Sequence, residues 1–285
     1  MLATIYEVDP TLENPDDLKN EEVAAAAREQ YAKSKSGPLT ALAVSFCYLH
    51  SSQIVNEDTY ELLSTEVNQL AAADSEADMA ILKSRFSVPP LLGQVEFVFD
   101  LGNWNTNFTP DTGRKYGTCL IMLQYPFSRG NIHVNPSANG SPSSASDPPS
   151  INPKFFENQG KLDLDLMSHA VVFAHKISKT HPLATIVRGR VFPKVGADEC
   201  MNEVKEWVVQ NAITDCHPVG TCAMGGHEGM KRGVVDERLR VYGVRGLRVV
   251  DASIMPLQIG AHLQATIYAI AEKGAAMILE DYASI

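Results

Sequence analysis

The sequence is short of cysteine: five in 285 residues, an odd and scattered set of Cys47, Cys119, Cys200, Cys216 and Cys222. Such a set does not make a disulfide-stapled scaffold, and it favours a reducing compartment. Positive charge is also short. The 24 Lys and Arg stand against 34 Asp and Glu, a formal net charge of −10. A chain of that sign is ill-suited to wrap nucleic acid or to lie on anionic lipid. No run of about 18 uncharged apolar residues occurs, which excludes a membrane-spanning helix. The opening MLATIYEVDP lacks a basic segment with an apolar one behind it, so it does not read as a signal peptide. Two sequons, Asn107-Phe-Thr and Asn139-Gly-Ser, nevertheless leave a secreted parent protein open. There is no internal repeat.

What is present is ordinary globular material, 45% apolar and 20% charged, enough for one large domain or two smaller ones. Residues 15–36 read as a helix: Asn14 is placed to cap it, Pro15 suits its first position, acids crowd its start and Gly37 follows its end. Further helices are expected near 57–72, 76–86, 161–179 and 198–211. From 93 the pattern changes to short β-branched and aromatic bursts, GQVEFVFDLG and YGTCLIMLQYPFSRGNIHVNP. Within the second, Ser128-Arg129-Gly130 reads as the turn of a hairpin. The Pro- and Ser-rich stretch 138–150 reads as a surface loop. GLRVVDAS (246–253) resembles a buried parallel strand ending in an acid, and 261–281 a long helix. In that helix Leu263, Ile267, Ile270 and Ile278 make an apolar stripe, and Ala261, Ala265 and Ala269 a ridge of small residues.

The stretch CHPVGTC (216–222) offers three kinds of chemistry. Cys216, His217, Cys222 and His227 carry zinc-binding atoms, but no Cys-x-x-Cys knuckle is present and adjacent ligands strain a tetrahedral site. A cysteine nucleophile beside His217 is conceivable, though sequence neighbours usually point apart; the plainer reading is that the cysteines pack as small hydrophobes. His217 itself precedes Pro218 in a Gly/Thr turn, where an extended backbone aims a side chain outward, and imidazole is the usual general base near neutral pH. His262 follows Pro256 and Gly260 at the expected start of the last helix. There the positive end of the helix dipole favours a neutral, proton-accepting ring and stabilises charge on a ligand. Asp251 closes the expected strand, where ligands sit in open α/β sheets; as a turn or capping residue it would need no ligand at all.

Taken in order, HPVGTCAMG, GVVDERLRVYGVRGLRVVDASIMP and AHLQATIYAIAEKGAAMI closely resemble the C-terminal region of the glucose–methanol–choline (GMC) flavoprotein oxidoreductases. Weaker likeness runs back through PSINPKFFENQGKLDLDL and YPFSRGNIHV to GPLT at 37–40. The resemblance implies FAD chemistry on a small-molecule alcohol. The residue matching His217 acts there as the base for the hydroxyl proton, and that matching His262 orients the substrate oxygen. Positions matching Asp251 and Ala252 lie along the flavin's phosphate and ribityl part, and those matching Leu263 and Gln264 meet its ring system.

The implied fold is mixed α+β and α/β. It combines an antiparallel-sheet substrate domain with helices and the C-terminal strand and helix of an incomplete FAD-binding domain. The expected division is an N-terminal helix and leader at 1–36, a substrate domain at 37–212 and a catalytic and FAD-binding segment at 213–285. The family's G-x-G-x-x-G fingerprint is nowhere in the sequence. The chain is therefore expected to be the second half of such an enzyme, with a missing N-terminal FAD-binding half as partner and little flavin binding alone. Two other readings stay open: a non-redox cyclase or lyase on the same fold, and a non-enzymatic fragment that binds a partner chain.

Overall fold

Strand β1, Leu2–Val8 (LATIYEV), runs through the interior of a sheet: Leu2, Ile5 and Tyr6 are fully buried, and only Glu7 reaches towards water. A strand buried on both faces must be almost continuously apolar or β-branched, and this one is. The computed structural model describes residues 1–41, 45–71, 75–87, 92–135, 144, 146–194 and 200–283. After β1 the elements are α1 (Glu21–Ser34), β2 (Phe46–Leu49), α2 (Ser51–Ile54), α3 (Glu57–Gln69), α4 (Glu76–Ser87), β3 (Val95–Leu101) and β4 (Tyr116–Leu123). Then come β5 (Asn131–His133), β6 (Ser150–Asn152), α5 (Lys161–Ser178), β7 (Val187–Phe192), α6 (Met201–Asn211) and α7 (Gln264–Ala283). Most of the expected 138–150 loop, with the Asn139 sequon, lies outside the described residues. Among the described residues no helix is long and apolar enough to cross a membrane.

The chain divides into two compact units. The first comprises Met1–Tyr60, Pro90–Leu123 and Leu164–Ile213; the second comprises Glu61–Pro89, Gln124–Asp163 and Thr214–Ile285. The first unit is built on a five-stranded antiparallel sheet in the order β2-β3-β4-β1-β7. Within residues 1–36, β1 is a central strand of this sheet. β1 pairs with β4, Leu2 opposite Ile121 and Glu7 opposite Tyr116, and with β7 on its other side. On the sheet, α5 sets the Phe173 ring 5.6 Å from Phe97 and stacks His175 on Tyr6 at 6.3 Å, while α6 brings Trp207 edge-on to Phe192 at 5.6 Å. Burial in β4 pushes the Cys119 thiol up to about 12, so this cysteine stays protonated and packs as a small hydrophobe. The single helix expected over 15–36 is two pieces. Asn14 caps a 3-10 turn, Pro15–Lys19, and Asn20 then takes an extended ψ of 122° and caps α1 by accepting from Glu22 and Val23.

In the second unit, the turn expected at Ser128–Gly130 does not join two paired strands. β5 pairs with β6, Ile132 opposite Ile151, and not with β4. The reason is Asp163, far along the chain: its buried carboxylate accepts from Phe127 N (2.8 Å), Ser128 N (2.7 Å) and Ser128 Oγ (2.5 Å). Those amides are no longer free for a hairpin ladder. Burial pushes the Asp163 carboxyl up to about 6 against these hydrogen bonds.

Residues 246–253 form no strand either. Their ladder contact is one isolated bridge, Arg240 to Arg248, because a strand needs a neighbour and none is supplied among the described residues. The segment is held instead by packing. Val249 and Val250 join Met224, Val241, Ile270 and Met277 around buried Val235, Leu239 and Ile254. Gly274 of α7 faces Val250 so closely that an added Cβ would stand 2.5 Å from Val250 Cγ1. Asp281 near the helix end pairs with Arg238 and Arg248. The ridge of Ala265 and Ala269 is exposed.

Two outcomes are expected. In a helix interior, Gly→Ala ordinarily stabilises by about 1 kcal/mol. At Gly274 the new methyl has no room, so Gly274→Ala lowers the thermal midpoint through overpacking of about 1–3 kcal/mol. For Asp163 the raised carboxyl pKa means that the native state holds a proton more tightly than the unfolded chain. Its contribution is full below about pH 4 and is lost as pH rises through about 6. Urea unfolding of Asp163→Asn across that window should therefore show a flatter pH profile than the parent protein.

Candidate active site

All six residues singled out in the sequence lie in the second unit. The segment 214–225 is irregular and is fixed by hydrogen bonds. Thr214 Oγ1 accepts from Cys216 N at 3.0 Å, Cys222 N donates to Ser253 O at 3.0 Å and Met224 N donates to Ile254 O at 2.9 Å. The backbone turns sharply twice, at Cys216 (φ 58°) and Gly220 (φ 89°). The second position is a glycine because side chains rarely tolerate that conformation. Cys216 is solvent-exposed and Cys222 only partly buried, so neither is the packing residue expected from the sequence.

Those hydrogen bonds join the His217 segment to the turn after Asp251. Asp251 caps the short 3-10 turn Ala252–Ile254, and its carboxylate accepts from Ser253 N (2.8 Å) and Ser253 Oγ. From there the chain runs past Gln258, whose carbonyl accepts from Arg85 Nη1 at 2.9 Å. It then passes Gly260, where an added Cβ would meet the Tyr125 hydroxyl at 1.9 Å. The Arg85 guanidinium covers the Tyr125 ring at 4.7 Å. Neither of these two side chains stood out in the sequence, because each reaches the segment from a distant element.

The outcome is a meeting of two histidines 45 positions apart. The rings of His217 and His262 lie 5.5 Å apart, centre to centre, at 77°, edge to face. His262 is exposed and stands two residues before the first helical residue of α7, not within the helix. Leu263 begins that helix by accepting from Ile267 N (2.9 Å), and its side chain is 1% exposed. It therefore offers a ligand only backbone groups, whereas the Gln264 side chain is open to solvent. Behind His217 stands a residue that the sequence reading passed over: Asp215 Oδ2 lies 3.0 Å from His217 Nδ1. The signal was an acid two positions before the histidine, in TDCHP. Together the three side chains make a carboxylate–imidazole–imidazole arrangement on loops, suited to accepting a proton from a substrate hydroxyl and to hydrogen-bonding its oxygen.

A model of the GMC oxidoreductase family matches residues 126–271, more than half of the chain. The dehydrogenase citC of Monascus ruber is 40% identical over 170 residues, 58% of this chain and 25% of its own. Glucose oxidase 1 of Penicillium expansum is 36% identical over 180 residues, 60% of this chain and 27% of its own. The chain thus spans about a quarter of the length of these relatives. A formate oxidase structure superposes on 99% of this chain and 46% of its own, with a TM-score of 0.75 and 24% identity. A fungal aryl-alcohol oxidase covers 99% at a TM-score of 0.66. The two structural likenesses bear on the fold, which is the mixed α and β architecture with an antiparallel sheet that the sequence implied. The family model spans both histidines and the turn capped by Asp251, and on that match the chain belongs to the GMC oxidoreductase family.

Proposed function

We propose that this chain carries the proton-handling side of an FAD-dependent oxidoreductase acting on the CH–OH group of an alcohol. The supporting observation is the ring contact between His217 and His262 inside the span matched by the family. An alcohol becomes a carbonyl compound by losing a proton from oxygen and a hydride from carbon. His217 takes the hydroxyl proton, and His262 hydrogen-bonds the same oxygen as negative charge develops there. FAD, when bound, supplies the acceptor for the hydride and its two electrons.

The donors present fit such a cofactor. α7 is 20 residues long, and the N–H groups of its first turn have no acceptor within the helix, so they favour a group that gains negative charge. Gln264 and the backbone of Leu263 would address the flavin ring. The backbone of Asp251 and Ala252 would run along the ribityl and phosphate part, since the Asp251 carboxylate is taken up by Ser253. A pyrophosphate needs a glycine loop at a helix N-terminus, and no G-x-G-x-x-G occurs in residues 1–285. That cradle belongs to a further N-terminal FAD-binding half, and the chain by itself turns over no alcohol.

Two measurements test this reading. Purified with excess FAD, the chain alone should retain no stoichiometric yellow flavin; stoichiometric retention contradicts the divided site. Joined to a family relative's N-terminal half that bears G-x-G-x-x-G, the protein should bleach its flavin with alcohols in the absence of oxygen. His217→Ala should slow that bleaching about 10²–10⁴-fold with flavin still bound. Bleaching at the parent rate would remove His217 as the base.

A further inference from the structure

We propose that Asp215 is a positioning residue that selects the tautomer of His217 and so makes Nε2 the atom that accepts the substrate proton. The inference rests on the reading of His217 as the base and deepens it. Asp215 Oδ2 lies 3.0 Å from His217 Nδ1, a hydrogen-bond distance. An ionised carboxylate only accepts, and a bare imidazole nitrogen only accepts. The contact is attractive only when Nδ1 carries the proton, and a neutral ring with Nδ1–H has its lone pair on Nε2 alone.

The backbone supports the pairing. Cys216, between the two residues, holds a left-handed φ of 58° with its N–H donated to Thr214 Oγ1. A β-carbon-bearing residue adopts that conformation at a cost of about 1–2 kcal/mol, so the turn persists only because its surroundings hold it. The His262 ring meets His217 at 77°. A fixed His217 plane therefore settles which way that ring presents Nε2 beside the His262 ring. Each side chain of the pair is about one-third exposed, so the contact is a close carboxylate–imidazole approach open to solvent rather than a buried ion pair.

The test reads the tautomer directly and does not depend on turnover. The 285-residue chain is labelled with ¹⁵N-histidine, and long-range ¹H–¹⁵N spectra are recorded at about pH 8, with His217→Gln assigning the resonance. The parent should show Nδ1 protonated and Nε2 bare. Asp215→Glu, which keeps an acceptor, should preserve that pattern. Asp215→Ala removes the acceptor, and Asp215→Asn presents an amide N–H to Nδ1; both should move His217 towards the Nε2–H form. A parent His217 already in the Nε2–H form, or an unchanged Nδ1–H form in Asp215→Ala, overturns the proposal. In the flavin-loaded protein Asp215→Asn should lose about 10²-fold or more in kcat with little change in KM. If His217→Ala kept full turnover while the tautomer followed Asp215, the base reading would fail and the positioning role would stand.

Discussion

Two backbone hydrogen bonds, Cys222 N–H to Ser253 C=O and Met224 N–H to Ile254 C=O, hold the candidate site together. Both histidines stand on irregular chain, and a loop residue keeps a catalytic position only if the backbone beneath it is tied down. The ties continue inward: Gly225 N donates to Val235 O and Val234 N to Ala223 O, which carries the His217 segment onto Val235, a fully buried residue. From Val235 the packing reaches Leu239, Ile254 and the Ile270 and Met277 side of α7. The last helix thus acts as a post for the loops. Gly274 lets Val250 approach it closely, and Asp281 gathers Arg238 and Arg248 at its far end.

This construction also decides which atoms remain for a ligand. The Asp251 carboxylate is engaged by Ser253, and the Leu263 side chain is in the core. Side chains turned to internal work leave backbone groups, Gln264 and the two paired imidazoles as the groups proposed to meet a cofactor and a substrate. The division suits the proposed function, in which a proton would move towards imidazole and a hydride towards an acceptor near a helix N-terminus.

The parts of the fold legible in the sequence were those specified locally. Helix caps at Asn14 and the periodic stretches of α3, α4, α5 and α6 depend on neighbours within a few residues. What failed depended on distant partners. No local signal marks β1 as a strand, because its partner, β4, begins more than a hundred residues later. The Ser128–Gly130 turn looked like a hairpin until Asp163 claimed its amides. LRVVD carries the composition of a buried strand, yet composition does not provide the hydrogen-bonded neighbour that a strand requires. The site shows the same split. The order of motifs pointed to His217 and His262 as a pair, whereas Asp215 became visible only with the left-handed turn at Cys216.

That turn bears on why the site is built on loops. Within five residues the chain passes through φ 58° at Cys216 and φ 89° at Gly220, with His217 between them. A helix or strand would have set the histidine's direction by its regular geometry, with neighbours i+2 or i+4 along the same face. Here direction comes from two unusual backbone angles, a threonine hydroxyl and a carboxylate, each specific to one position. Such an arrangement is costly in backbone energy and is maintained by the packing beneath it. In return it aims a ring edge-on at a second ring 45 residues away, a placement that no single regular element could supply.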